Sequence, residues 1–124
     1  ERGHSVYCIT NDELHSELLS KVTSSIPNVE VTSWDGLMVD YVRKTGANFV
    51  VRGIRGMRDL ESERDLAELN ARLLPGLETI FLLSKPELGC ISSSAVREAA
   101  LFGADYSRFV PSCILDDIQA HFSK

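Results

Sequence analysis

The chain has 124 residues, of which 44% are hydrophobic and 25% are charged, and its formal net charge at pH 7 is −5. This composition predicts one ordered domain over residues 1–124 with a real apolar core, and it excludes a largely disordered chain. The acidic balance argues against a general nucleic-acid or anionic-membrane surface, so we expect neither a nucleic acid nor a membrane as a partner.

Short runs rich in β-branched and aromatic residues alternate with helical patterns along the chain. The predicted strands cover residues 5–10, 29–33, 49–52 and 79–83, and the predicted helices cover residues 12–25, 36–45, 58–74, 92–102 and 113–122. Gly46 and Gly103 are predicted to end two helices in a left-handed conformation, and Pro75 to follow a third. The fold class is therefore α/β, a parallel sheet with helices on both faces, whose ligands bind at the carboxyl ends of the strands.

The segment 50–56 (VVRGIRG) is an apolar strand that ends in two guanidinium groups separated by glycine, just before a helix. Arg52 and Arg55 each present five donors in a planar fork that matches phosphate oxygens. Gly53 and Gly56 allow the backbone to approach a ligand closely. The segment predicts a phosphate-binding turn; the alternative is a pair of surface arginines that flank the end of a strand.

A second signal of this kind is the segment 89–98, where Ser92, Ser93 and Ser94 precede an apolar periodic run. The first N–H groups of a helix have no internal partners and carry the positive end of its dipole, so such a start can bind an anion. Capping needs only one serine. The alternative is a helix start that has more capping residues than it needs.

In the third predicted helix, an acid shares a stripe with residues that should face the sheet. Glu63, Ala67, Asn70 and Leu74 recur at i, i+4, i+7 and i+11, which places them on one side of the helix. Glu63 can pair with an arginine or accept hydrogen bonds from a ligand. The alternative is a solvated carboxylate that the helix dipole stabilises.

The three cysteines, Cys8, Cys90 and Cys113, are odd in number and form no CxxC pair or Cys/His cluster. They predict reduced, buried thiols in a cytoplasm rather than disulfides or zinc, and no protein metal site is expected. No apolar run approaches the length that spans a membrane. We therefore expect a cytoplasmic protein.

Taken together, these motifs resemble those of the bacterial phosphopantetheine adenylyltransferases, which share a VRGLR-type turn, an acidic helix with a late asparagine, an ETxFL strand and an ISSSxVRE helix. The resemblance is carried by VVRGIRGMRDLESERDLAELNARLLPGLETIFLLSKPELGCISSSAVREAALFGADYSRFVP and continues upstream through PNVEVTSWDGLMVDYVRKTGANFVVRG. It implies a Rossmann-like, doubly wound nucleotidyltransferase that converts ATP and 4′-phosphopantetheine to dephospho-coenzyme A and pyrophosphate. It also implies Mg²⁺ bound with ATP, and a homohexamer.

The resemblance assigns roles residue by residue. Arg52 corresponds to the arginine that holds the phosphate of phosphopantetheine, and Leu37 and Met38 correspond to the apolar pair against the pantetheine arm. Arg55 and Ser94 are expected to support catalysis. The implied ATP site consists of Gly53, Ile54, Arg55, Glu63, Leu88, Gly89, Cys90, Ile91, Ser92, Ser93 and Ser94.

Two features of the family are not expected in this chain. The family opens with a strand, a glycine-rich turn and a (T/H)xGH motif, which Gly3-His4 does not replace because it introduces a strand instead of continuing a helix. The family's basic loop after its second strand is also not expected between Thr10 and Asn11, where a predicted strand runs straight into a predicted helix. The catalytic residues of the motif are therefore unknown here. The protein is expected to be an enzyme if the parent protein carries this segment, and a non-catalytic nucleotide-binding or regulatory domain of the same family is the alternative.

Overall fold

The structure, a computed structural model, describes residues 3–123, which form two compact units. The first consists of the described chain up to Asp35 and from Ile91 onward, and the second is Gly36–Cys90. Parallel strands alternate with helices, so the predicted α/β, Rossmann-like class is confirmed. One domain over residues 1–124 stays a prediction, and residues 1, 2 and 124 lie outside the described range.

The first unit begins with two parallel strands, β1 (Val6–Thr10) and β2 (Val29–Ser33), which pair residue for residue. They are connected by α1 (Glu13–Val22). Asp12 caps this helix, since its carboxylate accepts a hydrogen bond from the N–H of His15 at 3.0 Å. The strand thus runs into the helix through a short turn, as the sequence predicts.

The same unit is completed by α4 (Ser93–Leu101) and α5 (Leu115–Phe122). A 3₁₀ turn (Ser112–Ile114) precedes α5, so the helix predicted over residues 113–122 begins as 3₁₀ rather than α. Val96 of α4 and Ile118 of α5 are buried in one apolar cluster. This cluster is the core of the first unit, because apolar side chains from its helices leave water together there.

The second unit pairs β3 (Phe49–Ile54) with β4 (Glu78–Leu83), also in parallel. The helix α2 (Met38–Thr45) precedes β3, and α3 (Met57–Leu73) connects the two strands. A 3₁₀ turn (Pro86–Leu88) follows β4. The buried centre of this unit is formed by Val39, Val42 and Leu77.

β3 extends two residues further than predicted, since the predicted strand ends at residue 52. Gly53 and Ile54 continue the parallel pairing with β4, and Ile54 is only 2% exposed. Burial of this apolar side chain favours the extended conformation to the end of the segment. Gly53 and Ile54 therefore belong to the strand, and only Arg55 and Gly56 form the turn into α3.

The two predicted glycine stops are confirmed. Gly46 follows α2 with φ of 70°, and Gly103 follows α4 with φ of 71°. Beyond the second stop, the N–H of Ala104 donates to the carbonyl of Ala99 at 2.8 Å. This bond is typical of a helix that ends in a left-handed residue.

The prediction of buried cysteines is wrong. Cys90 and Cys113 are exposed and Cys8 is half-buried, and all three are free thiols. Cys90 follows the turn after β4 and Cys113 lies in the 3₁₀ turn before α5. Connecting segments run over the surface, which accounts for the exposure of these two residues.

Candidate functional site

Arg52 of β3 and Glu63 of α3 form a bidentate ion pair in the second unit. Nε of Arg52 donates to Oε2 of Glu63 and Nη2 donates to Oε1, both at 2.6 Å. The side chain of Arg52 is 41% exposed, whereas that of Glu63 is 18% exposed. The alternative of a solvated Glu63 therefore does not hold, and its pairing with an arginine is confirmed.

The local sequence of α3 explains why Glu63 faces the strand. Glu63 and Ala67 are partly buried and Asn70 is buried, while the residues between them are exposed. These three side chains follow the helical spacing and therefore lie on the side of α3 that packs toward the sheet of this unit. The stripe predicted from the sequence is present, although Leu74 lies just beyond the end of the helix.

Arg55, in the turn between β3 and α3, is held by Asp59 in the first turn of α3. A single oxygen of Asp59, Oδ2, accepts hydrogen bonds from the backbone N–H of Arg55 at 3.0 Å and from its Nε at 3.2 Å. Gly56, which precedes the first helical residue, has no side chain that could cap α3. Asp59 thus orients both the backbone of the turn and the guanidinium group.

Asp59 was not predicted as a site residue. The available signal was its position four residues after Arg55, at the start of a helix. An acid in the first helical turn often reaches back to N–H groups that precede the helix, and opposite charges at i and i+4 are neighbours on a helix. Read together, these two tendencies could have identified the contact.

The ion pair shifts the pKa of both partners. The hydrogen bonds from Arg52 lower the pKa of Glu63, while burial and the negative charge of Asp59 oppose this shift. The same hydrogen bonds raise the pKa of Arg52. Both groups are therefore charged at neutral pH. Because Glu63 occupies Nε and Nη2 of Arg52, the Nη1 edge of the guanidinium group is the one that can meet a ligand.

Acid is expected to remove the stabilisation that this ion pair supplies. The pKa of Glu63 is lower in the folded protein than in the unfolded chain, so the contribution is complete above the unfolded pKa of about 4.3 and is lost as the pH falls through the folded value. The difference in melting temperature between the natural protein and Glu63→Gln should be largest near pH 7 and shrink toward pH 3.

Thermal unfolding at several pH values measures this difference. Asp65→Asn is the matched control, because Asp65 lies on the same helix and its side chain is 72% exposed. A difference for Glu63→Gln that stays constant between pH 7 and pH 3 would contradict the expected loss.

The turn after β4 packs against the turn after β3. A Cβ placed on Gly89 would lie 3.2 Å from the carbonyl oxygen of Pro86 and 3.8 Å from that of Arg55. The N–H of Ser84 also donates to the carbonyl of Ile54 at 2.9 Å. The predicted residues Leu88–Cys90 therefore share the carboxyl-end edge of this sheet with Arg55.

The predicted apolar pair lies at the start of α2. Leu37 precedes the first helical residue and is 57% exposed. Met38 is half-buried and packs against the core of the second unit. Leu37 therefore has an apolar surface that a ligand could cover, whereas Met38 also contributes to the packing of α2.

The serine-rich helix start belongs to the first unit. Ser92 caps α4, since its Oγ accepts a hydrogen bond from the N–H of Ala95 at 3.1 Å. Ser93 and Ser94 are the first two helical residues and both are exposed, while Ile91 is partly buried. One serine thus suffices for the cap, and capping does not explain the other two.

The histidine near the start of the chain precedes a strand. The carbonyl of His4 accepts a hydrogen bond from Nδ2 of Asn28 at 2.7 Å, just before β1. This confirms that Gly3-His4 introduces a strand. Among residues 3–123, no group of three or more His, Cys, Asp or Glu side chains could hold a metal ion. None of the helices in this range is long and apolar enough to cross a membrane.

Parallel strands whose carboxyl ends carry oriented guanidinium groups are typical of α/β proteins that bind anionic ligands. Similarity to known proteins identifies one family within this class of anion-binding α/β proteins. The chain is 44% identical over 108 residues to the phosphopantetheine adenylyltransferase of Caldanaerobacter subterraneus subsp. tengcongensis, an alignment that covers 87% of this chain and 68% of that protein. The chain belongs to the phosphopantetheine adenylyltransferase family.

Further relatives of the same name give the same result. The chain is 43% identical over 109 residues to the protein of Rubrobacter xylanophilus and 42% identical over 103 residues to that of Sodalis glossinidius, covering 88% and 83% of this chain. It spans about two thirds of the length of these relatives, namely 68%, 66% and 64%. No family model matches the chain. The alternative of a non-catalytic regulatory domain has no support from these similarities.

Proposed function

We propose that the protein transfers the adenylyl group of ATP to 4′-phosphopantetheine, giving dephospho-coenzyme A and pyrophosphate in coenzyme A biosynthesis. Membership of the phosphopantetheine adenylyltransferase family supports this reaction. The observation in the structure that carries the proposal is the pair of guanidinium groups at the carboxyl end of β3, each held by a carboxylate of α3. Such groups can bind two phosphate-bearing substrates.

The acceptor substrate, 4′-phosphopantetheine, is assigned to Arg52 and to the start of α2. The Nη1 edge of Arg52 would bind the phosphate of phosphopantetheine through charge-assisted hydrogen bonds. The exposed side chain of Leu37, supported by Met38, would contact the pantetheine arm. A cationic group and an apolar surface together suit a ligand that has a phosphate at one end and a long, weakly polar chain behind it.

The residues proposed for ATP are those that the family resemblance assigns to it. In the second unit, these residues are Gly53, Ile54, Arg55, Glu63, Leu88, Gly89 and Cys90. In the first unit, the start of α4 with Ile91, Ser92, Ser93 and Ser94 would bind phosphate through N–H groups and hydroxyls. Arg55 would support the transfer by neutralising charge on the phosphates, and Ser94 by donating a hydrogen bond to them.

The residues of the chain can promote this reaction without a covalent intermediate. An oxygen of the acceptor phosphate attacks the α-phosphorus of ATP, the bond from that phosphorus to the bridging oxygen breaks, and pyrophosphate leaves. The two substrates repel each other because both are anionic. Arg52 and Arg55 offset this repulsion and orient the phosphates, which lowers the barrier through position and electrostatics.

The cofactor, the assembly and the location are also proposals. Mg²⁺ would arrive with the triphosphate, which suits an ion that prefers phosphate oxygens to an all-protein cage. A homohexamer and a cytoplasmic location follow from the resemblance to the bacterial enzymes of this family. Analytical ultracentrifugation of the purified protein tests the hexamer directly.

Release of pyrophosphate tests the reaction. The complete gene product that carries this sequence, freed of host enzyme, should release pyrophosphate from ATP when 4′-phosphopantetheine is present. Pantetheine, which lacks the phosphate that Arg52 would bind, is the matched control and should give almost no release. Equal release with either compound, or none with phosphopantetheine, would refute the proposed reaction.

A further inference from the structure

We propose that Asp59 is a positioning residue for the adenylyl transfer: it fixes the peptide group from which Arg55 emerges, together with the guanidinium group itself. This inference rests on the proposed function and extends it to a residue to which the family resemblance assigns no role. Asp59 touches neither substrate and acts only through Arg55. The hydrogen bonds around the turn between β3 and α3 point to this role.

The peptide group between Ile54 and Arg55 is held on both sides. Its carbonyl oxygen, which belongs to Ile54, accepts a hydrogen bond from the N–H of Ser84 at 2.9 Å. Its N–H, which belongs to Arg55, donates to Oδ2 of Asp59 at 3.0 Å. Because hydrogen bonds are directional, two of them on opposite sides define the plane of this peptide group. The direction in which the side chain of Arg55 leaves the backbone is therefore set as well.

The same carboxylate oxygen also holds the side chain of Arg55. Nε of Arg55 donates to Oδ2 of Asp59 at 3.2 Å, and the two side chains are 42% and 31% exposed. One atom thus binds both the backbone and the guanidinium group of a single residue. A guanidinium group that is oriented beforehand loses less conformational freedom when it binds phosphate.

Helix capping explains only one of these two hydrogen bonds. Asp59 is the third residue of α3, and Gly56 offers no side chain that could cap the helix. An acid at this position is stabilised by the helix dipole and can reach back to an N–H group that precedes the helix. Such a cap does not require a contact with Nε of Arg55. The second bond therefore indicates a role for the arginine side chain.

Another ion pair on α3 shows what a contact without this role looks like. Nη2 of Arg64 lies 3.3 Å from Oδ1 of Asp65, and these side chains are 65% and 72% exposed. This contact joins adjacent residues of the same helix, and exposed pairs of this kind contribute little to stability or order. Asp65→Asn is therefore the matched control for Asp59.

Substitutions of Asp59 are expected to lower turnover more than they change the KM for ATP. Asp59→Ala removes both hydrogen bonds and should lower kcat about a hundredfold. Asp59→Asn keeps an oxygen for the N–H of Arg55 but loses the charge that attracts its Nε, so kcat should fall about tenfold. The KM for ATP should stay within about threefold, because Arg55 is needed most where negative charge shifts onto the leaving pyrophosphate.

A double variant tests whether Asp59 acts through Arg55. In the background of Arg55→Ala, adding Asp59→Ala should leave kcat within about twofold, because no guanidinium group remains to be positioned. Pyrophosphate release by the complete gene product gives kcat and KM for every variant, and thermal unfolding gives the melting temperature. A residue that only stabilised the fold would lower the melting temperature and leave the kcat of the folded protein unchanged.

Three outcomes would overturn the inference: folded Asp59→Ala with the kcat of Asp65→Asn, a loss confined to the KM for ATP, or a further large loss in the double variant. If Asp59→Ala does not fold, Asp59→Asn takes its place in the same comparisons. A natural protein that releases no pyrophosphate would refute the proposed reaction instead, and full activity in Arg55→Ala would refute the part proposed for Arg55. The failures are thus distinguishable.

Discussion

Replacement of Arg52 by alanine is expected to weaken binding of 4′-phosphopantetheine by about 2–4 kcal/mol, because it removes the proposed charge-assisted contact to the acceptor phosphate. The structure adds a second cause. Without its partner, Glu63 keeps a carboxylate whose side chain is 18% exposed in the natural protein, and this negative charge would then face the negative phosphate. Binding of ATP should change little, since Arg55 is held separately by Asp59.

Lysine at this position tests geometry rather than charge. Arg52→Lys keeps one positive charge but loses the planar fork that reaches both oxygens of Glu63 and a ligand at the same time. We expect an affinity between those of the natural protein and Arg52→Ala. Calorimetric titration of the complete gene product with 4′-phosphopantetheine measures the series.

A double variant separates the two causes in Arg52→Ala. Combining it with Glu63→Gln removes the unpaired carboxylate, so part of the lost affinity should return. No recovery would mean that repulsion by Glu63 contributes nothing. Normal phosphopantetheine affinity in Arg52→Ala would exclude Arg52 from the acceptor site altogether.

Substitution of Ser94 by aspartate is expected to weaken ATP binding by at least about 2 kcal/mol, because it adds a negative charge at the helix start that is proposed to bind the ATP phosphates. Two unit charges 4 Å apart repel by about 4 kcal/mol near a protein surface, before screening by salt. Ser94→Ala, which removes only a hydroxyl, should cost about 1 kcal/mol of ATP affinity. The melting temperature should change little in either variant, since the cap of α4 is Ser92.

Ser92 serves for comparison, because its hydroxyl caps α4. Ser92→Ala removes the hydrogen bond from the N–H of Ala95 and should lower the free energy of unfolding by about 1 kcal/mol. ATP titrations and thermal unfolding on the same four proteins distinguish a binding role from a capping role. If Ser94→Asp binds ATP as well as the natural protein does, Ser94 has no part in holding the phosphates.

Elements whose conformation depends on near neighbours in the sequence could be predicted. Helical spacing located the stripe that contains Glu63 and Asn70, and this stripe is partly or fully buried in the structure. Gly46 and Gly103 end helices as expected because only glycine adopts positive φ without steric cost. The serine-rich start of α4 was likewise recognisable, because capping involves residues three apart.

Contacts between segments that are distant in the sequence determined the features that could not be predicted. The length of β3 depends on its pairing with β4 and on the burial of Ile54, neither of which is visible in the segment 49–54 alone. The exposure of Cys90 and Cys113 depends on the course of the connecting segments. Cysteine is usually buried in proteins, so the residue type alone wrongly predicted burial at these two positions.

The sequence by itself was enough to place this protein in the α/β class and in the phosphopantetheine adenylyltransferase family. It also located the arginines and serines of the two motifs that are expected to bind phosphate. The tertiary structure decided which atoms form hydrogen bonds and ion pairs. Glu63 lies eleven residues after Arg52 along the chain, and only the packing of α3 against β3 brings its two oxygens to 2.6 Å from that guanidinium group. Hydrogen bonds depend on distance and direction, and these follow from packing rather than from spacing along the chain.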